Sequence, residues 1–184
     1  EVMVQAVHSL DQIGCRYSGA LYAGVMLTQR NFKVLEFNAR FGDPETQVLL
    51  TRLQSDIVPF LMNSATGTVD NSLTEVCFIN RSAVCVVIAS GGYPGKYVKG
   101  LQIEGIFEAE SEPSVFVFHA GTISEDEKIF TNGGRVLGIT ALGDSLEEAR
   151  KRAYQAVEKI RFRDAHYRKD IGKRAIEIAK KQAR

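Results

Sequence analysis

The sequence lacks the features that mark disulfide-rich secreted proteins, zinc-binding proteins and membrane-spanning proteins. Its three cysteines are an odd number in 184 residues and form no Cys-x-x-Cys pair, so we expect neither a disulfide framework nor a zinc site. Apolar runs such as residues 83–89 fall far short of the roughly 20 residues of a membrane span, and no charged-then-apolar leader is visible. We therefore expect a cytoplasmic protein whose thiols are reduced and mostly buried.

The net charge of +1 hides an asymmetry along the chain. Residues 150–184 carry 13 Lys and Arg against 4 Asp and Glu, whereas residues 1–149 carry 10 against 18. A basic segment can attract nucleic acid, but neither an aromatic platform nor zinc-finger spacing accompanies this one. We interpret most of these side chains as solvated helix faces, with a few near a phosphorylated substrate, and expect no nucleic-acid or membrane partner.

The composition, 45% hydrophobic and 24% charged, is that of an ordinary globular protein with room for one large or two small cores. A polar loop over residues 66–74 predicts a domain boundary, which divides the chain into residues 1–74 and 75–184. The sequence begins at Glu1 rather than Met, which indicates a fragment or a processed product.

Hydrophobic periodicity in the first part predicts a helix over residues 2–12 and an apolar strand region over residues 17–28. Gly19 and Gly24 interrupt this strand, where glycine often marks a bulge. A short connection then predicts a hairpin with the strand that begins near Val34. Another helix is predicted over residues 57–65, capped by Ser55 or Asp56.

In the second part, residues 83–89 form a continuous apolar run that predicts a buried strand. The glycine-rich residues 90–97 match no phosphate-binding motif, so we interpret them as a structural turn. His119 lies in an apolar run and is interpreted as a core histidine. Ser145 and Glu148 predict a capping box at the start of a long helix, and a last helix is predicted from Lys173 to about residue 183.

The stretch VLEFNARFGDPETQ, residues 34–47, carries the strongest functional signal. Apolar and polar residues alternate in its first half, which predicts a strand whose polar face carries Glu36, Asn38 and Arg40. Mg²⁺ takes hard oxygen ligands, and two ligands at i and i+2 on a strand can reach one ion. An arginine two residues further on could pair with a phosphoryl or carboxylate oxygen. A strand with one solvated face explains the same alternation, and spacing alone leaves both interpretations open.

The second half of this stretch predicts a turn into a helix. Asp43 is placed at the helix N-cap, Pro44 at the first helical position and Glu45 in the first turn. Backbone N–H groups at such a helix start favour anions. Asp43 therefore has two interpretations, a cap or a contact to the substrate amine, and its position before Pro44 favours the cap.

The pattern Glu-x-Asn-x-Arg at Glu36, Asn38 and Arg40 resembles the ATP-grasp ligases, in which the Glu and Asn hold magnesium on the ATP phosphates. Residues 40–47, RFGDPETQ, are similar to the signature of the phosphoribosylamine-glycine ligase family, also called glycinamide ribonucleotide synthetases. Several ATP-grasp families place a further metal-binding carboxylate on the preceding strand. Residues 18–28 contain none, which leaves Glu36 and Asn38 as the only protein ligands of the metal.

Further blocks resemble the same family in the same order. They are GGYPGKYVKG at residues 91–100, FHAGT at 118–122, NGGRV at 132–136 and RKDIG at 168–172. The resemblance covers nearly the whole chain but only part of the enzyme, whose N-terminal domain and ATP lid would lie upstream. It implies an α+β fold: the C-terminal part of an ATP-grasp domain, with antiparallel strands plus helices, followed by a small β-rich closing domain with flanking helices.

The resemblance also implies the reaction and its site. The complete enzyme would join glycine to 5-phosphoribosylamine, with ATP cleaved to ADP and phosphate through an acyl phosphate, in purine biosynthesis. Glu36 and Asn38 would bind Mg²⁺ or Mn²⁺, Arg40 would be catalytic, and Arg40, Gly42 and Asp43 would contact substrate. Two alternatives are a non-catalytic ATP-grasp remnant that acts as a binding module, and a different ATP-grasp carboxylate-amine ligase.

Overall fold

The computed structural model describes residues 2–28, 31–68 and 75–182, and these divide into two units. Unit 1 comprises Glu1–Thr46 and Leu53–Phe78, and unit 2 comprises Gln47–Arg52 and Ile79–Arg184. The predicted domain boundary at residue 74 stays a prediction, since residues 69–74 of the predicted loop lie outside the described residues. No described helix is both long and apolar enough to cross a membrane.

Unit 1 contains helices and one antiparallel hairpin. Its elements are α1 (Val2–Gln12), β1 (Tyr22–Leu27), β2 (Phe32–Asn38), the start of α2 (Glu45–Arg52) and α3 (Val58–Thr66). The predicted helix over residues 2–12 is confirmed, and it is followed by Gly14 with φ 75°. The predicted cap at Asp56 is confirmed in part, because its Oδ1 accepts a hydrogen bond from Val58 N at 2.9 Å although Ile57 is the N-cap residue.

The β1–β2 hairpin is antiparallel, as predicted. Its register shifts between Gly24 and Val25, so the bulge predicted at Gly24 is confirmed. The prediction that the strand starts at Tyr17 is wrong, because β1 begins only at Tyr22. Before it, the Tyr17 hydroxyl donates to Ala20 O at 2.7 Å, and Gly19 between them lies in a bend.

Apolar side chains on both faces of the hairpin are exposed. They are Val25, Met26, Leu27, Phe32, Val34, Leu35 and Phe37. Gly24 is the only buried residue in the described part of unit 1. The hairpin therefore presents apolar surface that unit 1 alone does not cover.

Besides the end of α2, unit 2 contains two antiparallel sheets and three helices within its described residues. Its further elements are β3 (Ser82–Ala89), β4 (Gln102–Ile103), α4 (Ile106–Glu110), β5 (Val115–His119), β6 (Thr122–Glu125), β7 (Lys128–Thr131), β8 (Arg135–Gly143), α5 (Leu146–Val157), β9 (His166–Tyr167) and α6 (Lys173–Gln182). The strand orders are β5-β8-β3-β9 and β4-β7-β6. The predicted α+β architecture with antiparallel sheets is confirmed.

The core of unit 2 lies between α5 and one face of the four-stranded sheet. Its buried members include Val84, Val86, Ile88, Leu137, Ile139, Ala149, Ala153 and Val157. The cap of α5 is the predicted one, since Ser145 Oγ accepts from Glu148 N at 3.2 Å. The Glu148 carboxylate reaches back to Asp144 N at 2.7 Å, so both halves of the cap satisfy backbone donors.

Two burial predictions are wrong. His119 is exposed rather than in the core, because it ends β5, an edge strand, and its Nδ1 lies 2.9 Å from Thr122 Oγ1. Cys15 and Cys77 are also exposed, because both lie in connections outside the regular elements. Only Cys85, in the middle of β3, is buried as expected.

Candidate functional site

Glu36 and Asn38 lie near the end of β2 with their side chains in contact. Asn38 Nδ2 donates to Glu36 Oε1 at 3.3 Å, so the predicted shared face of the strand is confirmed. Gly24 stands opposite Glu36 in the hairpin, and a Cβ at Gly24 would lie 3.1 Å from Glu36 Cγ. The glycine of β1 therefore leaves room for the glutamate side chain. Neither Glu36 nor Asn38 is buried.

Arg40 lies beyond the strand. Because β2 ends at Asn38, the prediction of a third strand position at Arg40 is wrong, and the residue occupies a bend. Its Nη1 donates to Phe41 O at 2.9 Å, and the side chain is exposed. The guanidinium is thus directed by its own loop and not by the strand pleat.

The turn from Gly42 into α2 also differs from the prediction. The helix begins at Glu45 rather than Pro44, so Asp43 is not the residue that immediately flanks the helix. The peptide bond between Asp43 and Pro44 is cis. Thr46 N donates to Gly42 O at 3.0 Å, and the Thr46 hydroxyl donates to the same oxygen. The Gly42 carbonyl therefore takes part in the helix start, and Asp43, which is exposed, stays a predicted substrate contact.

The chemistry of the Glu36 and Asn38 pair fits a hard divalent cation. Octahedral Mg²⁺ binds oxygens at 2.0–2.1 Å, which places adjacent ligand atoms about 3 Å apart. The facing atoms of the two side chains are 3.3 Å apart, and a half-turn of the Asn38 amide presents its oxygen instead of its nitrogen. The described residues contain no group of three or more His, Cys, Asp or Glu that could hold a metal. A metal at this pair would complete its shell with phosphate and water.

A second ordered feature, which was not predicted from the sequence, is a clamp on residues 168–172. Tyr154 Oη donates to Arg168 O at 2.7 Å and accepts from Ile171 N at 3.1 Å. Arg150 donates from Nε to Ile171 O at 2.8 Å and from Nη2 to Lys169 O at 2.7 Å. The two side chains stack, with the Arg150 guanidinium carbon 4.6 Å from the Tyr154 ring centroid. Their i, i+4 spacing on α5 was the available signal.

The segment held by this clamp carries the shifted ionisable groups. Arg168 donates to both carboxylate oxygens of Asp170, at 2.9 and 2.7 Å. This hydrogen bonding lowers the pKa of Asp170 and raises the pKa of Arg168 from their ordinary values. Because both groups are exposed, the pair orders the segment more than it stabilises the fold.

Comparison with known proteins assigns both parts of the chain. The family model described as phosphoribosylglycinamide synthetase, C domain, matches residues 83–174. The model described as phosphoribosylglycinamide synthetase, ATP-grasp (A) domain, matches residues 1–46. The second match includes Glu36, Asn38 and Arg40.

Named relatives agree with these matches. The chain is 49% identical over 171 residues to phosphoribosylamine-glycine ligase of Caldanaerobacter subterraneus, covering 93% of this chain and 40% of that protein. It is 46% identical to the human trifunctional purine biosynthetic protein adenosine-3, covering 95% of this chain and 17% of that protein. The chain thus spans about 40% of the length of its single-enzyme relatives.

A solved structure gives the same answer at the level of the fold. The crystal structure of phosphoribosylamine-glycine ligase from Thermotoga maritima matches with a TM-score of 0.71 and 35% identity, covering 89% of this chain and 39% of that one. Two domain models of one family match in order, and the C-domain model alone matches half of the chain. The chain therefore belongs to the phosphoribosylglycinamide synthetase family.

Proposed function

We propose that this chain is the C-terminal part of a ligase that joins glycine to 5-phosphoribosylamine, with ATP cleaved to ADP and phosphate. The observation that carries the proposal is the Glu36 and Asn38 pair, joined at 3.3 Å on a strand that the ATP-grasp domain model of this family matches. Relatives at 46–49% identity whose names include phosphoribosylamine-glycine ligase support the choice of substrates.

Glu36 and Asn38 are the proposed ligands of Mg²⁺ or Mn²⁺. Both offer oxygen donors, which these cations prefer. When bound, the cation offsets negative charge on the ATP phosphates. The role of the two side chains is to fix its place at the end of β2, next to the loop of Arg40.

Arg40, Gly42 and Asp43 are the proposed contacts to the reacting groups. The exposed Arg40 guanidinium has donors beyond the Nη1 bond to Phe41 O and would pair with the transferring phosphoryl group. Gly42 brings the backbone close to substrate, and the Asp43 carboxylate would accept from the substrate amine. Catalysis by these groups rests on positioning and on offsetting charge.

The proposed reaction has two balanced steps. A carboxylate oxygen of glycine attacks the γ-phosphorus of ATP, and ADP leaves, which gives an acyl phosphate. The amine of 5-phosphoribosylamine then attacks the acyl carbon, phosphate leaves, and the nitrogen loses a proton as the amide forms. Arg40 would offset charge in both steps, because the first joins a carboxylate oxygen to a phosphoryl group and the second releases that group as phosphate.

The remaining domains of the full-length enzyme are the proposed partners of unit 1. The exposed apolar side chains of the hairpin, such as Leu35 at 64% and Phe37 at 48% exposure, are surface that a further domain would cover. We place the enzyme in the cytoplasm, where its small-molecule substrates are made, and propose no nucleic-acid or membrane partner.

Glu36→Gln in the full-length enzyme tests the metal assignment. The change keeps the shape of the side chain and removes the charge, so the magnesium concentration for half-maximal activity should rise and kcat should fall by at least the roughly 10- to 100-fold that loss of a group hydrogen-bonded to a metal ligand costs. Glu125→Gln, at an exposed carboxylate of β6, is the matched control and should behave as wild type. Wild-type magnesium dependence of the Glu36 variant would contradict the assignment.

An activity assay of the 184-residue chain alone tests whether catalysis requires the proposed upstream domains. The chain should form no product from glycine, 5-phosphoribosylamine and Mg-ATP, because the proposed upstream domains supply the rest of the site. Product formation by this chain alone would contradict the proposal. Tight binding of Mg-ATP by the chain, together with an inactive full-length protein, would favour a binding module.

A further inference from the structure

Three loops of unit 2 are bonded to one another, and we call residues 90–100, 119–122 and 131–135 the loop cluster. The bonds that join them are Ser90 N to Gly134 O at 2.8 Å, Ser90 Oγ to Gly133 O at 2.8 Å, Gly100 N to Thr131 O at 2.7 Å and Asn132 N to Gly121 O at 2.7 Å. Ser90 and Thr131 are fully buried. The loops therefore form one fixed surface and not three independent turns.

Glycines allow these loops to approach closely. A Cβ at Gly121 would overlap Gly133 and the carbonyl of Arg135, and a Cβ at Gly134 would overlap the ring of Tyr93. Tyr93 in turn meets Tyr97 edge-on, with ring centroids 6.3 Å apart. The close backbone packing fixes where the side chains at the edge of the cluster emerge.

The charges of the loop cluster all have one sign. Its Lys and Arg residues are Lys96, Lys99 and Arg135, and no Asp or Glu lies on the three loops. Lys96 and Lys99 are exposed and have no ion-pair partner among the described residues. Asp164 packs against the cluster at Gly91, and its Oδ2 lies 3.8 Å from Arg163 Nε.

Hydrogen bonds connect the chain segments that carry Lys99 and His119. Lys99 precedes Gly100, which donates to Thr131 O. Thr131 is opposite Thr122 in the β6–β7 pair, and the Thr122 hydroxyl lies 2.9 Å from His119 Nδ1. Lys99 is thus next in the chain to a residue bonded to Thr131, and His119 contacts the strand partner of Thr131.

The backbone of Lys96 also packs within the loop cluster. Its carbonyl lies against Gly92, and Gly92 is followed by Tyr93, whose ring rests on Gly134. The strand position after Gly134 is Arg135. Lys96, Lys99 and Arg135 therefore lie on chain segments that are bonded to one another or packed together around residues 131–135.

We propose that the loop cluster binds the phosphate of 5-phosphoribosylamine. This assignment rests on the proposed function, in which that substrate carries a phosphomonoester. A phosphomonoester is close to dianionic at neutral pH, and it suits lysine ammonium groups, which bind phosphate as point charges. Lys96 and Lys99 are the contacts that define the site, with His119 beside them. The neighbouring Tyr97 offers an aromatic face for the ribose.

The test uses ribose 5-phosphate as a stable probe and the 184-residue chain. Calorimetric titration at low ionic strength should detect ribose 5-phosphate, and binding should weaken as salt is added. The double variant Lys96→Gln, Lys99→Gln should weaken it at least about tenfold, since each lost contact is a hydrogen bond to a charged group. Lys181→Gln, an exposed lysine on α6, is the control and should bind as wild type. Circular dichroism would verify that the variants fold.

Three further titrations distinguish the source of the phosphate. Ribose should not bind, and inorganic phosphate should bind more weakly than ribose 5-phosphate. Equal affinity for inorganic phosphate would overturn the assignment to a sugar phosphate. ADP binding that is lost in the double variant would assign the lysines to the nucleotide and overturn the proposal as well.

Kinetics of the full-length enzyme separate this proposal from the proposed function. The double variant should raise the KM for 5-phosphoribosylamine at least tenfold, with the KM values for ATP and glycine within about twofold of wild type. An active enzyme whose KM for 5-phosphoribosylamine is unchanged in the variant would overturn the phosphate site and leave the ligase function standing. Lysine-dependent binding of ribose 5-phosphate by a protein without ligase activity would contradict the function and leave the site standing.

Discussion

Replacement of Thr140 by valine should stabilise unit 2. Thr140 is fully buried on β8, opposite Cys85 on β3 and Phe116 on β5, and its hydroxyl has no hydrogen-bond partner among the described residues. A buried hydroxyl without a partner costs about 1–3 kcal/mol relative to water. Valine keeps the β-branched shape and exchanges the hydroxyl for a methyl group. We therefore expect the free energy of unfolding to rise by about 1 kcal/mol.

Thr131 provides a matched control at an equally buried strand position. Its hydroxyl oxygen accepts from Leu101 N at 3.1 Å, so Thr131→Val leaves a backbone donor without its partner. This loss should lower the free energy of unfolding by about 1–2 kcal/mol. The same chemical change is thus expected to have opposite signs at the two sites. The difference between them should be about 2–3 kcal/mol, which is larger than the error of a denaturation measurement.

Urea unfolding of both variants, followed by far-UV circular dichroism, measures this difference. Thermal unfolding gives a second measure, because about 1 kcal/mol shifts the midpoint of a chain of this size by roughly 2–4 °C. A loss of stability in the Thr140 variant as large as that in the Thr131 variant would show that the Thr140 hydroxyl is paired. It would refute the reasoning from the buried, unpartnered oxygen.

Two further predictions concern unit 2. Asp170→Asn should lower the free energy of unfolding at neutral pH, because the lowered pKa of Asp170 stabilises the folded state above the unfolded-state pKa of about 4. The difference in stability between variant and wild type should disappear as the pH falls through the folded-state pKa. A difference that persists in acid would contradict the predicted pH dependence. Gly134→Ala should cost about 1–3 kcal/mol, because its Cβ would overlap the Tyr93 ring. Gly95→Ala, which has only a 3.1 Å neighbour, is its control in denaturation, and equal losses would contradict the packing argument.

The parts of the site that follow from local periodicity could be predicted from sequence. Alternation along β2 predicted that Glu36 and Asn38 share a face, and the 3.3 Å contact between them agrees. Arg40 could not be placed in the same way, since nothing in the alternation shows that the strand ends at Asn38. The start of α2 differs by one residue for a similar reason, because the Gly42 carbonyl joins the first turn through Thr46.

Whether a side chain is buried depends on the order of the strands in the sheet, which hydrophobic periodicity does not reveal. His119 lies in an apolar run, but β5 is an edge strand and His119 is its last residue, so it is exposed. The i, i+4 spacing of Arg150 and Tyr154 indicated that the two side chains meet, but it could not show what they bind, because the clamp joins α5 to a segment 14–21 residues further along the chain. Ser145 and Glu148 were predictable, since a capping box is complete within four residues.

The strand order of unit 2 also determines when its sheet can form during synthesis. Val86 of β3 pairs with Ile139 of β8, so its neighbouring strand is made about 50 residues later. At 5–20 residues per second, a ribosome needs roughly 3–10 s to add them. For that interval the apolar β3 segment has left the ribosome without the strand that covers its edge. Slow codons or scarce chaperones should therefore affect the yield of this protein most between the translation of β3 and that of β8.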